Sequence, residues 1–83
     1  MTQDMIEKFV EKPERQNVPV NIHFKERSTV SGIFIQGMDY DELKNKNFWR
    51  IVNNTHAEAW GKTKDMNLAR IYNGASFTRL TEN

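Results

Sequence analysis

"VPVNIHFKERSTVSGIF", residues 18–34, decides the fold. Val18, Val20, Ile22 and Phe24 are apolar, and Pro19, Asn21 and His23 stand between them. A period of two is the mark of a strand with one buried face. Pro19 cannot donate to a ladder and belongs near a strand start or on an edge, which is where it lies. Lys25, Glu26, Arg27 and Ser28 interrupt the pattern, and a β-rich run resumes from Thr29 to Ile35. Two strands are expected, at about 18–24 and 28–36. The turn between them lacks Asn-Gly or Asp-Gly, so its type stays open. Gly32 falls inside the second strand. An interior glycine marks a sharp bend or a close backbone approach, and a small barrel needs such bends to close. The expectation is a sheet that curls on itself, with Val20, Ile22, Phe24, Phe34 and the more distant Phe77 buried.

On the N-terminal side, Thr2 can cap a helix, and Gln3 and Asp4 suit its first turn. Met5, Ile6, Phe9 and Val10 make one apolar face at helical spacing. Pro13 disfavours helical geometry at Lys12, so a helix is expected over about 2–12, with "KPERQN" as a connector. On the C-terminal side, "GMDYDELKNKN" (37–47) is long for a hairpin loop and has room for a helical turn around Tyr40 to Lys44. Phe48 to Val52 is a short β-prone run. Phe48 and Trp49 then point to opposite faces. Residues 55–69 are ambiguous between strand and helix. Ile71-Tyr72 leads into Asn73-Gly74, a turn or strand-break signal, and Ala75 to Leu80 supplies a last strand. The order is one helix followed by about five strands.

The chain has 83 residues, which fit one domain, 1–83. A domain of this size buries only about 60% of the surface its unfolded chain exposes. There is no cysteine, which excludes disulfides and Cys-ligated zinc. Oligomerisation is the expected extra support. Twelve basic and eleven acidic residues give a net charge of +1, unlike a dedicated duplex-DNA binder but compatible with RNA binding through a local patch. No stretch approaches the ~20 apolar residues of a membrane span. The start, MTQDMIEKF, is unlike a signal peptide, so a cytoplasmic protein is expected. Nothing argues for catalysis: there is no cysteine nucleophile, no HExxH and no phosphate-cradling glycine loop, and the two histidines are 33 positions apart. Asp39, Asp41 and Glu42 lack the spacing and glycine of a calcium loop. No enzyme activity, metal or cofactor is expected.

A short helix followed by five bent strands is the order of the Sm fold, and particular residues carry the likeness. Val18 to Gly32 resembles the first strand and glycine-bearing second strand of the Hfq branch of the Sm-like family. Gln3-Asp4 sits where Hfq-type helices begin. "IYNGASFTRL" (71–80) resembles the second Sm motif, in which apolar residues follow the glycine at three and six positions: Gly74, Phe77 and Leu80. The likeness covers about residues 3–36 and 70–80. The chain departs from the pattern in three places. Asp39 lies seven residues after Gly32 rather than six. The loops after it and before the last motif are longer. Tyr72-Asn73-Gly74 stands where Hfq has Tyr-Lys-His and where other Sm proteins have Arg-Gly.

The resemblance implies a mostly-β fold: an N-terminal α-helix and a five-stranded, strongly bent Sm/SH3-like small barrel. It implies a homo-oligomeric ring, a hexamer in Hfq, that binds U-rich or A-rich single-stranded RNA as an RNA chaperone or riboregulator. It assigns Tyr72, Asn73, Gly74, Gln3, Asp39 and Asn47 to an inner-rim pocket. It assigns His23, with Lys25, Thr29 and Ser31, to the opposite face, where a histidine can stack on a base. Lys8, Lys12 and Arg15 correspond to a basic rim. Each group also has a plainer reading. Asn73-Gly74 can simply turn the chain, His23 can face solvent, and the basic cluster can be a solvated face. Tyr40, Phe48, Trp49 and Trp60 suit a core or subunit contact better than a base-stacking platform. The second functional reading is an SH3-like barrel that serves as a protein-interaction or structural module without RNA binding. It is favoured by the missing cation before Gly74.

Overall fold

The computed structural model describes residues 1–83. Helix α1 (Gln3–Val10) starts where the Met5 N–H donates to Thr2 Oγ1 at 3.3 Å. Asp4 in its first turn and Lys8 in its last complement the helix dipole. Ile6 and Val10 form its buried stripe. It stops two residues short of the expected end. Pro13 then opens a 3-10 turn, Pro13–Arg15, as a proline at a first helical position can.

Five antiparallel strands follow: β1 (Val20–Phe24), β2 (Val30–Phe34), β3 (Phe48–Asn53), β4 (Ala69–Asn73) and β5 (Phe77–Glu82). Their order in the sheet is β4-β3-β2-β1-β5. Val20 faces Gly32 across β1 and β2, Gly32 faces Asn53 across β2 and β3, and Ile22 faces Leu80 across β1 and β5. β4 and β5 are successive in the chain yet form the two edges. No ladder joins them, so the sheet is open. β5 starts and ends two residues later than expected. Asn73 Oδ1 accepts the Ala75 N–H at 2.9 Å and turns residues 74–76 before pairing resumes.

Two short helices lie between strands. Helix α2 (Tyr40–Asn45) is the expected helical turn. Helix α3 (Ala57–Thr63) settles the ambiguous segment, and "HAEAWGK" is no strand tip. A 3-10 turn, Met66–Leu68, then leads into β4.

The sheet has an apolar cluster on each side. Beneath α1, Ile6 and Val10 pack on Val20, Ile22, Trp49, Ile51, Phe77 and Leu80. On the other side Ile33, Ile35 and Val52 are covered by Trp60 of α3. Val20, Ile22 and Phe77 are buried as expected. Phe24 and Phe34 are only half-buried, which corrects the sequence reading. Both end their strands, and the ladder to β5 shifts register between His23 and Phe24. The Phe24 ring still meets Phe77 edge-on at 5.2 Å, and Phe34 meets Trp49 at 6.0 Å. Trp49 and Trp60 are core residues, whereas Tyr40 and Phe48 are half-buried.

Gly32 is explained by close approach. A Cβ there would lie 2.7 Å from Ile51 Cγ2 and 2.8 Å from the Val52 carbonyl oxygen. Helix α2 is tied to α1 by charge. Tyr40 donates to Glu11 Oε2 at 2.6 Å, and Lys44 lies 3.4 Å from Glu11, 3.5 Å from Glu7 and 3.5 Å from Asp41. Burial pushes the Tyr40 hydroxyl pKa up, and Glu11, Glu7 and Asp41 push it further. Burial pulls Lys44 down, but Glu11, Glu7 and Asp41 outweigh this and leave its pKa raised.

Candidate nucleic-acid interface

Two of the six inner-rim residues, Asn47 and Gly74, meet backbone to backbone. Asn47 adopts φ 62°, a left-handed conformation that asparagine tolerates. Its Nδ2 donates to the Met1 carbonyl at 3.0 Å, and its Oδ1 accepts the buried Trp49 Nε1–H at 2.8 Å. Its carbonyl accepts the Gly74 N–H at 2.8 Å. Gly74 must be glycine, because a Cβ would overlap Asn47 Oδ1 and lie 2.8 Å from Trp49 Nε1. The N-terminal ammonium donates to the carbonyls of Gly74 (3.0 Å) and Phe77 (2.6 Å). Asn47 and Gly74 thus bind one another, and the Asn73 oxygen is engaged by Ala75. Gln3 Nε2 donates to Glu7 at 3.4 Å. Asp39 accepts from Arg50 at 2.7 Å. Arg50 leaves β3 on the face opposite Trp49, so Asp39 is not brought to Tyr72, whose register partner is Trp49.

The opposite-face residues are partly gathered. The His23 ring is held between Thr81 Oγ1 (3.1 Å from Nε2) and Thr29 Oγ1 (3.2 Å from Nδ1). Ser31 donates to Asn21 Oδ1 at 2.6 Å on the same face. Lys25 is exposed beyond the end of β1. At the basic rim, Lys8 and Lys12 are exposed, but Arg15 is engaged. Its guanidinium lies 3.1 Å from Glu82 and 3.7 Å above the Phe9 ring.

Tyr72 stands instead beside residues from other segments. A cleft of about 370 Å³ is lined by Arg27, Ile51, Asn53, Thr55, His56, Asn67, Leu68, Arg70 and Tyr72, with no carboxylate among them. Arg27 comes from the β1–β2 turn, and its guanidinium lies 5.0 Å from the Phe24 ring centroid and 5.8 Å from that of Tyr72. Arg70 and Tyr72 are two apart on β4 and share a face, opposite Ile51 and Trp49. Asn53 ends β3, and its Oδ1 accepts from the Thr55 N–H and hydroxyl at 3.0 and 3.1 Å. His56 and Asn67 come from the two turns flanking α3.

Chemically the cleft combines one aromatic ring, two guanidiniums, two carboxamides and an imidazole. These are the groups that stack on an unpaired base, read its edge and neutralise its phosphate. Of them, sequence reading found only Tyr72. The Arg70-Tyr72 spacing on a β-prone run was a usable signal. Arg27, Asn53, His56 and Asn67 gave none, because the path of residues 55–69 was open. Compared with protein-family models, with curated proteins and with solved structures, the chain matches none.

Proposed function

We propose that the protein binds single-stranded RNA through the Tyr72 cleft, as a non-enzymatic, cytoplasmic RNA-binding protein of Sm-like design. The observation that carries this reading is the carboxylate-free grouping of Tyr72 with Arg27 and Arg70. It supplies, from elsewhere in the chain, the cation absent beside Gly74. In this reading the open sheet is a small Sm/SH3-like barrel. The contact of the Phe24 and Tyr72 rings at 5.9 Å, between strands that are not sheet neighbours, supports that curl. The unpaired edges of β4 and β5 offer backbone groups to further copies. Head-to-tail pairing closes into a ring if the angle permits, about six copies by the likeness to Hfq. A ring multiplies weak single-nucleotide contacts into avidity.

Titration of labelled U-rich and A-rich oligonucleotides at two salt concentrations tests the reading. Tyr72→Ala should cost about 1–3 kcal/mol of binding, the range for base–aromatic stacking. Arg70→Ala should weaken both sequences alike and reduce the salt slope by about 1. If neither oligonucleotide binds more tightly than millimolar at low salt, RNA binding is refuted. The second reading, an SH3-like protein-interaction module, would then stand ahead. One observation already favours it: Asn47 and Gly74 of the expected pocket are spent on internal bonds. Light scattering tests the ring separately, and a monomer mass at micromolar concentration would exclude it.

A further inference from the structure

A second cleft, of about 290 Å³, lies between the connector after α1 and helix α3. Its floor is apolar: Val10, Phe34, Ile35 and Trp60. Its rim is polar: Gln16, Asn17 and Gln36 bring three carboxamides, and Arg15 and Lys64 bring positive charge. No carboxylate lines it. Arg15 is already engaged by Glu82 and the Phe9 carbonyl. Lys64 takes part in no ion pair, and its ammonium lies 5.4 Å from the Trp60 ring centroid.

Backbone conformation points to the same place. Three residues other than glycine have positive φ: Asn17 at 61°, Asn47 at 62° and Lys64 at 53°. Asn47 is accounted for by its bonds to Met1 and Trp49. Asn17 and Lys64 both line this cleft. Left-handed geometry costs a residue with a Cβ free energy that glycine avoids, and asparagine tolerates it better than lysine. Lys64 follows α3 at the site where a glycine is the ordinary helix terminator. A lysine held there places an unpaired ammonium beside Trp60, and strained backbone of this kind collects at ligand clamps.

We propose that this cleft binds a free nucleoside monophosphate, with the base against the half-buried Phe34 ring and the carboxamides, beside the thin exposed edge of Trp60, and the phosphate at Lys64. Its volume of about 290 Å³ lies just below the range of ligand pockets, roughly 300–1,000 Å³, which limits it to one nucleotide rather than a longer segment. An aromatic ring accepts any base, carboxamides can both donate to and accept from base edges, and an ammonium pairs with phosphate as a point charge. Trp60 and Lys64 lie outside the stretches that resemble Sm-like proteins. The site is also separate from the Tyr72 cleft and does not depend on RNA binding there.

Two-dimensional NMR of the whole chain tests this with UMP, AMP, the nucleosides uridine and adenosine, and inorganic phosphate. UMP or AMP should move the Trp60 indole and the Gln36 and Asn17 side-chain amide signals in one saturable process. The nucleosides and inorganic phosphate should each bind at least about tenfold more weakly, which is about 1.4 kcal/mol. Lys64→Gly relieves the left-handed strain and removes the ammonium. It should leave the thermal midpoint equal or higher, yet weaken the monophosphate about tenfold and the nucleoside not at all. Arg70→Ala, in the other cleft, should change none of these signals. Three outcomes would overturn the proposal. One is absence of shifts at about 10 mM UMP and AMP. Another is a response to inorganic phosphate equal to that of the mononucleotides, which would reduce the site to a bare cation. The third is Lys64→Gly binding the monophosphate as tightly as the parent.

Discussion

The two sides of the sheet are built differently. Under α1, the cluster draws on α1, β1, β3 and β5, so residues from both ends of the chain meet in it. Ile6 and Ile22 there are fully buried. Under α3, the cluster uses only β2, β3 and the segment after them, and Ile33, Ile35 and Trp60 each keep about 8% exposure. The first side joins distant segments and therefore holds the topology. The second is a local cover, anchored chiefly by one tryptophan. Polar groups follow the same division. The α1 side includes the bonds that join Met1, Asn47, Trp49 and Gly74, whereas α3 is capped mainly by its own neighbours.

The sharpest test of this contrast is Phe77→Ala, which empties a site 1% exposed at the centre of the α1 side. It should cost about 3–5 kcal/mol in denaturant unfolding and loosen every strand together. A loss below about 1 kcal/mol would erase the distinction between the sides. Trp60→Ala should fall at the low end of that range, about 3 kcal/mol, because α3 can undock without the rest. Hydrogen exchange is the discriminating readout: amides of α3 should exchange rapidly while those of β1 and β5 stay protected. Equal loss of protection in β1 would show that the cover is integral.

Gly32→Ala probes the seam between the sides. The added Cβ presses on Ile51, which belongs to the α1 side, and on the backbone of Val52, which belongs to the α3 side. Overpacking of this kind costs about 1–3 kcal/mol. Chemical shifts should move on both sides, and movement confined to one would place the strain elsewhere. The smallest effect concerns the Tyr40–Glu11–Lys44 link. Both Tyr40 and Lys44 have raised pKa values in the fold, so the stability they add is present below their ordinary values of 10.0 and 10.5. It is lost as pH rises beyond them toward the folded values. Melting temperatures should therefore carry this link's full, pH-independent contribution between pH 7 and 9 and decline above about pH 10. The double variant Tyr40→Phe, Lys44→Met should lack that alkaline decline. An unchanged decline would assign it to other groups.

The α1 side was legible in the sequence because its rules are local. Alternation in Val18 to Phe24 fixes a strand phase, and Ile6 with Val10 fixes a helix face. Phe24 and Phe34 kept the right phase but not the expected depth, since burial at a strand end depends on what lies beyond it. The α3 side was not legible. "HAEAWGK" carries no strong helical stripe, and its conformation is decided by Trp60 finding Ile33, Ile35 and Val52. The candidate RNA site divides the same way. Tyr72 stood out beside Asn73-Gly74, whereas Arg27, His56 and Asn67 acquire meaning only when the turns around α3 are placed. The resemblance places Asn47 in the inner-rim pocket, but its bonds to Met1 and Trp49 depend on a left-handed backbone that no local pattern announces.

The pairing of β1 with β5 has a consequence for synthesis. His23 and Thr81, which share a hydrogen bond across these strands, are 58 residues apart. A ribosome adding roughly 5–20 residues per second needs about 3–12 s to make that interval. For most of it, once Phe34 has been added, the β1–β2 hairpin is complete in sequence but lacks its partner on one flank, with Val20 and Ile22 short of Phe77 and Leu80. The nascent chain therefore waits with an open apolar strand edge, the form most prone to mispairing with a neighbouring chain. Pro19 at the entrance to β1 and the charged turn Lys25-Glu26-Arg27 at its exit bracket that edge during the wait. Both are residue types that discourage unintended strand addition.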